Sequence, residues 1–368
     1  MKKLLIVAVI ISAFFISFTV KGEYVSAKSA ILICADTGEV LYSRNQDMRL
    51  PMASTTKIMT ALLVCENGEL DKKVTITKEM ITVEGTSMGL SAGDVLTRRD
   101  LLYGMMLVSG NDAANALAVS VGGSYDKFVD LMNEKAVSLG LHNTRFATPS
   151  GLDSEAHYTS SRDLAIITKT AFEYDEFLKV VSTRSIILSY GNPSCKRQLI
   201  NHNRLLKMYS DVIGVKTGYT KKAGRCLVSA AEKDGMRVIA VTLNDGNDWD
   251  DHRKLLDLGL SKLKSQSLSG YSINIPVVGN NARLVVDIPE KSVCVSKDKT
   301  VYERIFVPAF LYGPVKKGEE IGFFEVSVEN DTFIKEKIIS EVDIGKKENP
   351  IRLFWLCFSA ILRSFNEG

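Results

Sequence analysis

The spacing of apolar positions changes several times along the chain, and each change predicts an element. Residues 30–43, AILICADTGEVLYS, hold two β-rich runs on either side of Asp36-Thr37-Gly38, which predicts a hairpin. From Ser54 to Glu66 the period becomes helical, with Ile58, Ala61, Leu62 and Cys65 at three- and four-residue steps. Residues 95–180 read as mostly helical. Val212–Thr217 and Arg225–Ala231 are predicted strands about a turn at Gly218-Tyr219-Thr220, and Arg237–Leu243 is a third. Trp249–Lys264 is a closing helix with Leu255, Leu256, Leu258 and Leu260 on its apolar face. Two strands at the start and three near residue 240, with helices between and after, predict an α+β fold. Its antiparallel sheet is assembled from both ends of the domain, flanked by helices, and carries a helical insert.

After residue 268 the texture shifts to short β-rich pieces divided by Gly, Pro and Lys: Ser272–Pro276, Ala282–Pro289, Ser292–Lys297 and Gly322–Val328. This predicts a small all-β domain over 269–346, following a first domain over 28–268, with the boundary near Gly270. The last residues, 347–368, close with IRLFWLCFSAILRSFNEG. On a helical wheel Arg352, Ser359, Arg363 and Asn366 share one narrow face, and Phe354, Trp355, Phe358 and Phe365 lie on the apolar remainder. The pattern is that of an amphipathic helix lying in a membrane interface, too short to span the bilayer.

At the other end, Lys2 and Lys3 precede an uncharged apolar run from Leu4 to Val20, and a polar stretch then ends in Val25-Ser26-Ala27. This reads as a secretory signal over residues 1–27 cut after Ala27, with an uncleaved anchor as the alternative. The net charge of +3, about +1 once those residues are removed, and the lack of any Lys/Arg run argue against a nucleic-acid partner. Six cysteines are widely spaced without a C-x-x-C pair, and the four histidines show no metal-ligand spacing, so neither a metal nor a cofactor is expected. Cys34 and Cys226 sit in strand-like apolar runs, where a buried thiol is the expected role.

The candidate chemistry begins at Ser54-Thr-Thr-Lys57. A serine hydroxyl is a weak nucleophile until a neighbouring base takes its proton, and positions i and i+3 of a helix lie on one face. A lysine can serve as that base only if desolvation or another cation keeps it neutral. The quartet alone decides nothing, because S-x-x-K also occurs at Ser124, Ser261 and Ser296. Two further stretches matter. Ser109-Gly-Asn111 sets a hydroxyl and an amide two residues apart at a break between helical segments. Lys216-Thr217-Gly218 ends a strand with a cation, a hydroxyl and a glycine, and K-T-G occurs once in the chain. Asp112 and Asp163 read as capping or surface residues, and the remaining histidines as structural.

Taken in order, Ser54-x-x-Lys57, Ser109-x-Asn111 and Lys216-Thr-Gly218 resemble the three motifs of the penicillin-recognising serine enzymes. The stretches Gly214–Thr220, Ala223–Val228, Thr148–Leu152 and His157–Ser160, with the β-rich region and the tail, resemble the low-molecular-mass D-alanyl-D-alanine carboxypeptidases. The resemblance implies a β-lactamase/transpeptidase-like domain in an exported enzyme. It would sit peripherally on the outer face of the bacterial cytoplasmic membrane and act on peptidoglycan stem peptides ending in D-Ala-D-Ala, with β-lactam antibiotics as inhibitors. It further implies Ser54 as nucleophile, Lys57 as general base and Ser109 as proton relay. Asn111, Lys216, Thr217, Gly218 and Tyr219 would bind substrate, with the backbone N–H groups of Ser54 and Tyr219 as the oxyanion hole. Two positions depart from the family pattern: Ser150 stands where many members carry His, and His202 where some relatives place an Arg near the substrate carboxylate. A β-lactamase and a non-catalytic penicillin-binding receptor are the rival readings. Against the first, no E-x-x-L-N segment lies between the second and third motifs.

Overall fold

Ser29–Cys34 (β1, SAILIC) is buried at every position, and its side chains alternate between two cores. Ile31 and Ile33 join one hydrophobic cluster, and Ala30, Leu32 and Cys34 join the other. That is what a strand with both faces covered requires, because successive side chains point to opposite sides. The computed structural model describes residues 24–278, 282–329 and 331–345. β1 turns through Asp36-Thr37-Gly38 into β2 (Val40–Arg44), so the predicted hairpin forms.

A turn of 3-10 helix over Ala53–Thr56 leads into α1 (Lys57–Asn67). The insert then supplies α2 (Arg98–Leu107), α3 (Asn111–Gly122), α4 (Tyr125–Ser138), α5 (Ser161–Ala171) and α6 (Asp175–Ser182). The chain returns through β3 (Val212–Thr220), β4 (Gly224–Lys233) and β5 (Met236–Leu243), and α7 (Asp248–Lys262) follows. The five strands form one antiparallel sheet in the order β2-β1-β5-β4-β3, so β1 pairs with a strand more than two hundred residues away. The first core lies between this sheet and the insert helices; the second lies under α7, through Leu255 and Leu256.

Three expectations are corrected. The helix predicted from Ser54 begins as a 3-10 turn, with α-helix only from Lys57. The predicted turn at Gly218-Tyr219-Thr220 is strand, since β3 pairs with β4 out to Thr220↔Gly224 and the reversal falls on residues 221–223. The closing helix ends at Lys262, where Leu263 starts β6.

Eight strands follow: β6 (Leu263–Leu268), β7 (Tyr271–Val278), β8 (Ala282–Ile288), β9 (Lys291–Ser296), β10 (Val301–Phe306), β11 (Leu311–Tyr312), β12 (Glu320–Val328) and β13 (Asp331–Ile339). They make three small sheets, β6-β9, β8-β7-β11 and β10-β12-β13, around a separate cluster that includes Ile275, Leu284, Val295, Phe324 and Val326. β9 also touches the first hairpin: Cys294 N donates to Asp36 Oδ2 at 2.8 Å, and Ser296 Oγ to Glu39 Oε2 at 2.7 Å.

Of the expected signal, residues 1–23 lie outside the described residues, as does the expected amphipathic tail over 347–368. Residues 24–27 are described and packed. Val25 and Ala27 are buried, Tyr24 stacks at a tilt against Tyr42, and Ser26 donates from its N–H to Asp251 and from its hydroxyl to Asp245.

Candidate active site

The nucleophile candidate sits on a tight, strained turn. Ala53 takes φ +48°, in the left-handed region that an L-residue enters only when its surroundings hold it there. Two hydroxyls brace the turn, with Thr55 Oγ1 donating to Met52 O at 2.6 Å and Thr56 Oγ1 to Ala53 O at 2.8 Å. Thr56 Oγ1 is in turn contacted by His157 Nε2 at 2.7 Å. His157 Nδ1 accepts from Ala147 N, so the proton resides on Nε2, which donates to Thr56. Burial, and secondarily Lys57, lower the His157 pKa to about 4, keeping the ring neutral. In a 3-10 turn residues i and i+3 eclipse, so starting α1 this way draws Ser54 and Lys57 together.

Lys57 is completely buried, and its Nζ has three oxygen neighbours: Ser54 Oγ at 2.9 Å, Asn111 Oδ1 at 2.7 Å and Ser150 O at 2.6 Å. Its pKa lies well below the ordinary lysine value, first because of burial and second because of Lys216; Asp112 opposes weakly. A neutral amine has two protons and one lone pair. Asn111 Oδ1 and the Ser150 carbonyl can only accept, so they take the two protons. The lone pair then faces Ser54, whose hydroxyl donates to it. At Ser150 it is the carbonyl, not the hydroxyl, that meets the site; Ser150 Oγ is buried without a partner.

Ser109 and Asn111 come from the link between α2 and α3. Ser109 has φ +62°, a second left-handed residue at the cleft, and Asn111 opens α3. The Asn111 amide is held at both ends, with Oδ1 on Lys57 and Nδ2 donating to Glu84 O at 2.7 Å. Asp112, expected only as a cap, does more. Its carboxylate accepts from Ser87 Oγ and from the backbone N–H groups of Met88, Gly89 and Leu90, fixing the 84–90 segment beside the cleft. The Tyr190 hydroxyl reinforces it by donating to Met88 O at 2.6 Å. Asp163 is likewise not a surface residue: it is buried and accepts from Asn143 N and Thr144 Oγ1.

Lys216 is also buried; desolvation lowers its pKa to about 7, and its Nζ donates to Thr217 O at 3.0 Å. Gly218 passes so close to the serine turn that a Cβ there would lie 3.0 Å from Ser54 N. A cleft of about 660 Å³ opens over these groups, and Ser54, Ser109, Thr217 and Gly218 line it. His202, Arg204 and Trp249 line it as well, with Arg225 paired to Asp248 at 3.4 Å. The mostly exposed Tyr219 stands at its edge. Burial, and then Lys216, lower the His202 pKa. The structure thus brings all eight expected residues to one place. It also adds His157, Asp112 and the Ser150 carbonyl, which sequence reasoning missed because each acts through a contact remote in sequence.

A serine hydroxyl facing the lone pair of a buried lysine, on an antiparallel sheet with a helical insert, is the arrangement of a serine–lysine acyl-transfer enzyme. The family described as D-alanyl-D-alanine carboxypeptidase matches residues 16–247, and the chain belongs to it. The carboxypeptidase DacF of Bacillus subtilis is 34% identical over 336 residues, covering 87% of this chain and 86% of its own. The crystal structure of the Streptomyces K15 DD-transpeptidase superposes with a TM-score of 0.61 at 36% identity, covering 64% of this chain and 98% of that one. The carboxypeptidase DacD from Francisella tularensis has a TM-score of 0.62 at 26% identity, covering 87% of this chain and 94% of that one.

Proposed function

We propose that the chain is a serine-type D-Ala-D-Ala carboxypeptidase that removes the terminal D-alanine from peptidoglycan stem peptides through a Ser54 acyl-enzyme. The observation that carries this reading is the buried Lys57 Nζ, set 2.9 Å from Ser54 Oγ with the Asn111 Oδ1 and Ser150 carbonyl oxygens in its other two directions. As Ser54 Oγ bonds to the carbonyl between the two D-alanines, its proton passes to Lys57 Nζ. Ser109 relays a proton to the departing amine, D-alanine leaves, and water then hydrolyses the ester. The backbone N–H groups of Ser54 and Tyr219 receive the oxyanion, a device worth roughly 3 kcal/mol of barrier per donor. Gly218 lets β3 run close enough for this, and Thr217 with Lys216 binds the peptide's terminal carboxylate. β-Lactams acylate Ser54 by the same attack.

The remaining assignments rest on sequence and strand pairing. We place the small all-β domain from Leu263 rather than from 269, because β6 pairs along its whole length with β9. Tyr24–Ala27 is packed against α7 and β2, which favours a leader cut before Tyr24. Peripheral attachment at the outer membrane face through residues 347–368 rests on their amphipathic pattern.

The test is to incubate the purified chain with a peptide ending in D-Ala-D-Ala and assay free D-alanine. Release by the wild type and none by Ser54→Ala is expected. No release by a folded wild type would sink the proposal.

A further inference from the structure

Two thiols that the acyl-transfer chemistry does not use meet where β1 and β9 approach each other. Cys34 ends β1, Cys294 is the fourth residue of β9, and neither exposes any surface. The Cys34 thiol donates to the Cys294 carbonyl oxygen at 3.2 Å, and the two residues, both free thiols, pack in one buried cluster. The backbone there is held independently. Cys294 N donates to Asp36 Oδ2, and Cys34 N to Glu39 O at 2.9 Å. Each cysteine is therefore fixed on a paired strand, with the Cys34 sulfur turned toward Cys294.

The pair also differs from the other described cysteines. Cys65 and Cys226 are buried without a thiol neighbour, and desolvation pushes both up to about 12, where they remain inert thiols. Cys195 is exposed, at the start of the second strand of a hairpin. At Cys34 the hydrogen bond from the Cys294 thiol outweighs desolvation and lowers the pKa to about 7. Cys294 shifts upward for the complementary reason, as the donor in the same contact. The fold thus sets the two cysteines on adjoining strands, the proximity that a disulfide requires.

We propose that Cys34 and Cys294 are the two halves of a disulfide that joins the sheet carrying the acyl-transfer site to the β-strand region after α7. The bond forms by exchange with a small-molecule disulfide such as glutathione disulfide. The Cys34 thiolate attacks one sulfur of the reagent and releases one glutathione thiolate, leaving a mixed disulfide at Cys34. Cys294 then gives up its proton and attacks the Cys34 sulfur, releasing the second glutathione. Two protein thiols lose two electrons and two protons, and the reagent becomes two molecules of thiol. Both sulfurs are sealed in the folded protein, so the exchange belongs to folding, before β9 docks on the first hairpin. The cross-link closes a loop of some 260 residues, a length at which it removes much freedom from the unfolded chain. This inference is independent of the proposed enzymatic activity.

The experiment is to unfold and reduce the full chain, refold it in a glutathione/glutathione-disulfide buffer, block free thiols and digest with trypsin without reduction. Cys34 and Cys294 fall in the tryptic peptides Ser29–Arg44 and Ser292–Lys297. The expected result is that these two peptides are recovered linked, separate on reduction, and are never linked in Cys34→Ser or Cys294→Ser. Oxidation should raise the thermal midpoint of the wild type by roughly 5 °C and leave that of the double Cys→Ser variant unchanged. Recovery of both peptides with blocked, unlinked cysteines from refolded protein that still acylates with penicillin would overturn the proposal. Failure of the single variants to fold would not rescue it, because the peptide map of the wild type decides alone.

Discussion

Lys57 Nζ lies 2.9 Å from Ser54 Oγ while Asn111 Oδ1 and Ser150 O, at 2.7 and 2.6 Å, occupy its two remaining directions. The amine is thus aimed as well as neutral. Removing the Asn111 amide frees one of its protons to compete for Ser54 and releases Glu84 O on the far side. Asn111→Ala should therefore slow acylation by fluorescent penicillin on the order of 10²-fold, as small misplacements of catalytic groups do. A rate within threefold of wild type in a normally folded variant would refute the aiming role.

The cation beside Lys57 gives a prediction with a defined pH window. Burial is the larger cause of the depressed Lys57 pKa and Lys216 the smaller, and Lys216 itself titrates near 7. Below that pH Lys216 is charged and helps keep Lys57 unprotonated; above about 8 it is neutral and no longer does so. In Lys216→Ala the acid limb of the acylation profile should move to higher pH. The ratio of wild-type to variant rates should be largest below pH 7 and decline by pH 8 or above. An acid limb that does not move would show that burial alone sets the base.

Two buried histidines govern acid stability. The pKa of His157 is lowered to about 4 and that of His252 to about 3, in both cases chiefly by desolvation. Each stays neutral in the folded state while the unfolded chain binds a proton below about 6.5. The unfolded state then carries more protons, so stability falls as pH drops from 6.5 toward those values, by up to ~1.4 kcal/mol per pH unit per ring. His252 is enclosed between Ser229 Oγ and Thr242 Oγ1. His252→Gln should lose its share of this slope in urea midpoints measured from pH 7 to 4. An unchanged slope would remove His252 from the explanation.

Gly151 separates a steric requirement from a chemical one. It has φ +92°, and a Cβ added there would lie 2.0 Å from Ala53 O, the carbonyl that the Thr56 hydroxyl holds. Gly151→Ala should destabilise by more than ~2 kcal/mol and displace the Ser54 turn. Gly140→Ala, with φ +69° but open space around it, should cost only about 1 kcal/mol and leave acylation intact. Thermal unfolding with penicillin labelling distinguishes the two.

Permanent charge in the cleft comes from arginine. Arg225 is engaged with Asp248, whereas Arg204 rests over the Trp249 ring at 5.8 Å and has no carboxylate partner among the described residues. For a substrate ending in a carboxylate, Arg204→Ala should raise KM several-fold with little change in kcat, measured by D-alanine release. A fall confined to kcat would contradict a binding role.

The parts legible in sequence were those written locally. The apolar β-rich run of β1, the Asp36-Thr37-Gly38 turn and the helical spacing after Ser54 come from neighbours within a few residues, and the three motifs carry their own order. What escaped depends on partners far along the chain. Asp112 could be read as a cap, but not as the clamp on residues 84–90. His157 gave no local sign that it would meet Thr56, 101 residues away. The extension of β3 through Thr220 was hidden by Gly218, which suggests a turn but serves here to let the strand approach Ser54. The 3-10 start of α1 needed the Thr55 and Thr56 hydroxyls turned back on the chain, a choice that their sequence allows without dictating.

Ser26, whose amide and hydroxyl reach Asp251 and Asp245, bears on where the folded body begins. Burial raises the pKa of Asp245, while hydrogen bonds from Ser26 hold that of Asp251 down. A recombinant chain begun at Lys28, the boundary suggested by Val25-Ser26-Ala27, would lose the Ser26 donors that bridge the two carboxylates, leaving Asn247 N on Asp245 and Lys254 Nζ on Asp251. It would also uncover the apolar seat of Val25 and Ala27. A version begun at Tyr24 keeps that corner closed, so four residues outside every motif complete the packing under α7.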